Sequence, residues 1–118
     1  MDYRTEIVGI GELARELLET GSLIVFNEGA PPILEEVSFL HSRAVLEQDV
    51  QAGDVVILGD KDYVVAEVGF EANTTLRGLG HCTFVFRSNG DILPGAIRLE
   101  GNDAPDLQIG DRFEIIFA

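Results

Sequence analysis

Short runs of apolar residues, many of them β-branched or alternating with polar residues, recur along the whole chain. Glycine, proline, asparagine and aspartate separate these runs, which is the pattern of strands joined by turns. The sequence predicts eight strands, over residues 5–10, 23–27, 37–46, 54–58, 63–68, 83–87, 96–99 and 112–117. Residues 59–62, Gly-Asp-Lys-Asp, are expected to form a hairpin between the fourth and fifth strands.

Only residues 12–20 show a convincing helical period. Leu13, Leu17 and Leu18 fall on one stripe, and Gly21 suits the C-terminal cap of a short helix. The predicted fold is therefore all-β and barrel-like, with about eight short strands and one short N-terminal helix. At 118 residues, of which 46% are hydrophobic, the chain is expected to be a single domain over 1–118.

Two segments of the chain resemble each other. VQAGDVVIL (50–58) and LQIGDRFEI (107–115) both read apolar, Gln, apolar, Gly-Asp and then a strand. The similarity predicts two equivalent corners of a barrel, and chance over so few positions is the alternative.

Charge and cysteine content limit the binding partners and the cellular location to be expected. The chain has 8 basic and 21 acidic residues, a net charge of −13. This charge repels phosphate backbones and anionic lipids, so nucleic-acid binding and direct membrane insertion are not expected, and a basic partner is favoured. One cysteine, Cys82, and an N-terminus broken up by charge indicate a reducing, cytoplasmic location.

The strand predicted over 37–46 carries an unusual pair of polar residues. In a strand, His41 and Arg43 would lie on the same face, with α-carbons about 7 Å apart. A neutral imidazole is a nucleophile or base near neutral pH, and a guanidinium at this distance could bind a phosphate held on the ring. A hydrogen-bonded core histidine explains the same pattern, so both interpretations stay open.

Few other residues have side chains that could act as nucleophiles, bases or metal ligands. His81 is either a strand-end residue bound to a loop carbonyl or a supporting residue beside His41, and Cys82 is interpreted as a small buried hydrophobe. With two histidines and one cysteine, no structural metal site is expected. A Gly-x-Ser-x-Gly motif and a phosphate-binding loop are also missing.

Several longer stretches resemble one protein family in order and spacing. They are FNEGAPPILEEVSFLH (26–41), VGFEANTTLRGLGHCTFVF (68–86), LPGAI (93–97) and APDLQIGDRFEI (104–115). Together they resemble the glucitol/sorbitol-specific enzyme IIA components of the bacterial sugar phosphotransferase system. The resemblance implies a barrel-like fold and a phosphocarrier without metal, nucleotide or other cofactor.

In that family a histidine accepts a phosphoryl group from phospho-HPr and passes it to the IIB component, which acts with the membrane component IIC. The resemblance places the phosphohistidine at His41, where a fixed, accessible imidazole is expected. Arg43, which stands where some relatives carry a second histidine, is the first candidate to stabilise the phosphate, and His81 is the second. An ion pair of Arg43 with Glu35 or Glu36 is the alternative.

The docking surface is expected near Phe39, Leu40 and the loop at 29–31. A binding or regulatory barrel without phosphotransfer is the alternative function, and a homodimer is left open.

Overall fold

All eight predicted strands are present, and they close into a barrel. The structure, a computed structural model, describes residues 2–118. Its elements are β1 (Tyr3–Ile10), α1 (Ala14–Glu19), β2 (Ser22–Asn27), α2 (Pro32–Glu35), β3 (Phe39–His41), β4 (Val55–Leu58), β5 (Lys61–Val68), α3 (Ala72–Leu79), β6 (Cys82–Phe86), β7 (Ala96–Glu100) and β8 (Arg112–Ile116).

The strand order around the barrel is β1-β3-β2-β6-β7-β5-β4-β8, and β8 returns to pair with β1. Closure leaves no strand edge within residues 2–118 exposed for pairing with another chain. Two neighbouring pairs, β2–β3 and β6–β7, are parallel, and the other pairs are antiparallel. The parallel register of β2 and β3 sets Asn27 beside His41 at one end of the barrel.

Alternation of side chains divides the strands into an inner and an outer face. Along β1 every second residue from Tyr3 to Ile7 is buried, as the period of two requires. The interior is filled mainly by aromatic and branched residues, including Phe39, Phe84 and Phe113. A second, smaller cluster lies outside this core and contains Phe26, Ala30 and Leu40, with Leu34 packed against them.

Two sequence predictions need correction. Within residues 2–118 the chain forms three short helices and not one. Helix α2 begins at Pro32, directly after the expected loop at 29–31, and proline suits the first helical position. Helix α3 was missed because it buries only Ala72 and Leu76 and is otherwise rich in Asn, Thr and Gly, which are weak helix formers.

The predicted strand over 37–46 is also too long. Strand β3 covers only Phe39–His41, after which the chain leaves the sheet. The departure begins at Ser42, whose backbone N–H donates to the Glu6 carbonyl and whose hydroxyl accepts from the Glu6 N–H. None of the helices in the described chain is long and apolar enough to cross a membrane.

The two similar segments form the same turn. In each, the Gly has φ of +97° and the Asp N–H donates to the carbonyl of the Gln three residues earlier, at 3.1 Å. Each aspartate also accepts from the N–H of that Gln at 2.8 Å, as Asp54 does with Gln51 and Asp111 with Gln108. Since the turns lead into the adjacent strands β4 and β8, the prediction of two equivalent barrel corners is confirmed.

The two corners differ in burial, which gives a matched test. Asp54 is buried and also accepts from the backbone N–H of Ala118, whereas Asp111 is partly exposed. We expect Asp54→Ala to lower the free energy of unfolding by about 2 kcal/mol or more, because it leaves two backbone donors without their charged acceptor. Asp111→Ala should lower the free energy of unfolding by a smaller amount. Urea unfolding measures both variants, and an equal loss would contradict the assignment of the larger role to Asp54.

Candidate functional site

His41 is the last residue of β3 and points into the end of the barrel. Its side chain is completely buried, with 0% exposure. The ring lies against two aromatic rings in edge-to-face geometry, with centroids 6.3 Å from Tyr3 and 5.0 Å from Phe113. The expectation of an accessible imidazole is therefore wrong for this structure, because the ring closes the top of the apolar core.

Both ring nitrogens of His41 face backbone carbonyls. Nδ1 lies 2.8 Å from the Ser42 carbonyl oxygen, and Nε2 lies 2.7 Å from that of Gly80. A neutral imidazole has one N–H, so it can donate only one of these hydrogen bonds. The nitrogen without the proton then directs its lone pair at a carbonyl oxygen, and this contact between two acceptors is unfavourable.

Burial determines the protonation state of this ring. It lowers the pKa of His41, while the Gly80 and Ser42 carbonyls and the Glu28 carboxylate act in the opposite direction and more weakly. The folded protein therefore holds His41 neutral near pH 7, with one unprotonated nitrogen. That form is the nucleophilic one.

Helix α3 positions the carbonyl that faces Nε2. Gly80 caps the helix in the left-handed conformation, with φ of +62°, and its N–H donates to the Leu76 carbonyl. The next residue is fixed as well, because the Thr75 hydroxyl donates to the His81 carbonyl at 2.6 Å. Gly80 therefore ends helix α3.

Gly80 also has no space for a side chain. A Cβ atom added there would lie 2.1 Å from Asn27 Oδ1 and 2.8 Å from His41 Cε1. The end of β2, the end of β3 and the C-terminus of α3 therefore meet around one small space beside the imidazole.

His81 does not hydrogen-bond to His41. Its Nδ1 lies 3.1 Å from the Val25 carbonyl oxygen, and its ring packs on Phe26 with centroids 4.8 Å apart. The residue is partly exposed and precedes Cys82, whose side chain is buried in the core. His81 thus belongs to the outer face of the barrel, next to the second apolar cluster.

Arg43 lies at the surface, two residues beyond His41. Its Nη2 donates to the Glu28 carbonyl at 3.1 Å. Among the described side chains it forms no ion pair with Glu35 or Glu36, so the expected alternative is not observed. Arg43 lines a surface cleft of about 270 Å³, which we call the Arg43 cleft; its walls include Phe26, Asn27, Ala30, Leu34, Arg43 and Leu79.

Sequence reasoning missed Asn27 and Tyr3. Within residues 2–118, Asn27 Oδ1 and Tyr3 Oη are the two buried side-chain polar atoms without a hydrogen-bond partner, and both residues border His41. The only sequence signal for Asn27 was its place next to Glu28 in the motif that ends at His41. In the same part of the chain, no three His, Cys, Asp or Glu side chains converge on a metal-binding position.

The surface expected to dock a partner is only partly exposed. Phe39 and Leu40 are buried, the first in the barrel and the second in the outer cluster. Gly29 and Pro31 are exposed and lie at the rim of the Arg43 cleft. The loop, and not the strand, is therefore available to another protein.

The lowered pKa of His41 predicts a pH dependence of stability. Unfolded His41 takes up a proton below about pH 6.5 while the folded ring stays neutral, so the free energy of unfolding should fall as the pH falls. His41→Gln should reduce this slope between pH 7 and pH 5 by up to about 1.4 kcal/mol per pH unit. Urea unfolding at several pH values compares the slopes, and parallel curves for wild type and variant would contradict a buried neutral His41.

The contacts of Gly80 predict that it cannot be replaced. Gly80→Ala should lower the free energy of unfolding by about 2 kcal/mol or more, because it combines positive φ with a clash against Asn27 and His41. The matched control is Gly78→Ala in the same helix, where an added Cβ meets no atom within 4 Å. We expect this control to be neutral or stabilising, and similar thermal unfolding of the two variants would refute the assignment.

Comparison with known proteins identifies the family. The family model for the "PTS system glucitol/sorbitol-specific IIA component" matches residues 2–114. Proteins named glucitol/sorbitol-specific EIIA component from Shigella flexneri and Escherichia coli K12 are each 37% identical over 117 residues, covering 97% of this chain and 95% of theirs. The crystal structure of a PTS system IIA component from Enterococcus faecalis V583 has the same fold, with a TM-score of 0.81, 24% identity and coverage of 97% of this chain and 98% of that one. The chain belongs to the glucitol/sorbitol-specific IIA components of the phosphotransferase system.

Proposed function

We propose that this single-domain phosphocarrier holds its phosphoryl group on His41, receives it from phospho-HPr and passes it to a IIB component. The reaction would serve IIC-dependent uptake and phosphorylation of a sugar alcohol of the glucitol type, in the cytoplasm. The observation that carries the assignment to His41 is a fully buried imidazole whose two nitrogens face the carbonyls of Ser42 and Gly80. Membership of the family supports the donor and the acceptor.

The only covalent bonds that change in the transfer are those between phosphorus and the two imidazoles. The unprotonated nitrogen of His41 attacks the phosphorus, a new N–P bond forms, and the N–P bond to the donor imidazole breaks. The other ring nitrogen of His41 keeps its N–H and donates to the carbonyl that it faces. If Nε2 is phosphorylated, Nδ1–H donates to the Ser42 carbonyl; if Nδ1 is phosphorylated, Nε2–H donates to the Gly80 carbonyl. Such loose transition states depend mainly on position and charge, and the two carbonyls supply the position.

A local opening must precede the transfer, because His41 has no exposed surface. The Arg43 cleft is the route that the contacts favour, since Asn27 lines the cleft and also borders the space beside His41 Cε1. Rotation of the imidazole toward this cleft, or displacement of the Gly80 segment, would expose the reactive nitrogen.

Arg43 is suited to meet the phosphoryl group at the cleft. Its guanidinium is exposed and donates to one neutral carbonyl, so little is lost when it turns to an anion. An arginine binds phosphate through two parallel N–H donors. His81 would support the site indirectly, by packing on Phe26 beside the cleft.

Phosphorylation in a reconstituted system tests the assignment. The protein is incubated with enzyme I, HPr and phosphoenolpyruvate, and its intact mass and the acid lability of the product are measured. We expect one acid-labile phosphoryl group on wild type and on His81→Ala, and none on His41→Ala.

The same assay separates the role of Arg43 from that of the nucleophile. Arg43→Gln should still be phosphorylated, but its rate should fall by about tenfold or more, because a charge-assisted hydrogen bond is lost. Arg4→Gln is the matched control, since Arg4 pairs with Asp2 at the surface. An unphosphorylated wild type, with active HPr shown in parallel, would refute the carrier function for this chain. Loss of the phosphate in His81→Ala but not in His41→Ala would move the nucleophile to His81.

A further inference from the structure

The groups closest to His41 favour the unphosphorylated ring. The two carbonyls and the Glu28 carboxylate are all hydrogen-bond acceptors. A phosphoryl group adds up to about two negative charges and three acceptor oxygens. The phosphorylated protein therefore needs a hydrogen-bond donor that these groups cannot supply.

Asn27 is the side chain placed to provide that donor. It stands beside His41 in the β2–β3 register, and its amide shares with His41 Cε1 the space that a side chain at Gly80 would fill. It also lines the Arg43 cleft, so it lies between the imidazole and solvent. From this geometry we propose that Asn27 donates a hydrogen bond from its side-chain amide to the phosphoryl group on His41 and thereby stabilises the phosphorylated protein. The inference rests on the proposed role of His41.

The unsatisfied oxygen of Asn27 supports this role. Its Oδ1 is buried and accepts no hydrogen bond from any residue in 2–118, an arrangement that folded proteins rarely retain without a reason. Turning the amide breaks no hydrogen bond at Oδ1. The side chain is therefore free to direct its NH₂ group at a phosphoryl oxygen when one arrives.

Tyr3 is the rival donor, because its hydroxyl is also buried without a partner. Its ring, however, lies inside the barrel against Phe113 and is only 1% exposed. A dianionic group would have to enter the apolar core to reach it, which desolvation opposes. The phosphoryl group belongs on the cleft side of His41, where Asn27 lies.

Two substitutions at position 27 test the proposal. Asn27→Asp keeps the size of the side chain but replaces the donor by a carboxylate, and Asn27→Ala removes the donor without adding charge. The matched controls are Asn89→Asp and Asn89→Ala, in an exposed turn that follows the opposite end of β6. Thermal unfolding of the unphosphorylated variants verifies that each one is folded.

The readouts are the equilibrium constant for phosphoryl exchange with HPr and the ³¹P resonance of the phosphohistidine. We expect both Asn27 variants to shift the exchange equilibrium toward phospho-HPr by about tenfold or more, as loss of a hydrogen bond to a charged group would. The ³¹P resonance should move in these variants and stay unchanged in both Asn89 variants.

The outcomes separate this inference from the proposed function. A wild type phosphorylated on His41, with Asn27 variants that match it in equilibrium and ³¹P shift, would overturn the role of Asn27 alone. A wild type that takes no phosphate would overturn both. A shift in Asn27→Asp without one in Asn27→Ala would also overturn the donor role, because added charge alone would then explain the effect.

Discussion

The site depends on the contact between His41 Nε2 and the carbonyl oxygen of Gly80. This contact holds a buried imidazole against the C-terminus of α3 at 2.7 Å, and it requires three arrangements at once. Gly80 must adopt positive φ, the helix must end at that residue, and β3 must lie parallel to β2 so that His41 reaches the same end of the barrel. Because Gly80, Asn27 and His41 share one space without room for another methyl group, each of these arrangements constrains the others.

The geometry reconciles the two interpretations of His41 that the sequence left open. In its packing His41 is a core histidine, since it is fully buried against Tyr3 and Phe113. The same burial lowers its pKa and keeps one nitrogen unprotonated, which a nucleophile requires. A core position and a chemical role are therefore compatible, provided that the ring or its cover can move.

The two sides of the site differ in chemistry: one is apolar and the other is polar. The barrel interior below His41 is aromatic and excludes charge, while the Arg43 cleft beside it carries an exposed guanidinium and the amide of Asn27. On the proposed function, this difference would direct a phosphoryl group to the cleft side of the His41 ring. Gly29 and Pro31 are exposed at the rim of the cleft, so this rim is accessible to another protein. This arrangement suits a carrier that must give up its phosphoryl group as readily as it accepts it.

The sequence by itself determined all eight strands, the barrel class and the repeated Gly-Asp corner, because alternation and turn residues are local signals that the sheet retains. Its motifs also singled out His41, Arg43 and His81. It did not reveal α3, whose buried face has only two residues and whose composition is poor for a helix. Nor could it show that residues 27, 41 and 80 surround one space, that His41 is inaccessible, or that His81 faces outward. Those facts depend on parallel strand pairing and barrel closure, which bring together residues far apart in the chain, and only the tertiary structure decided them.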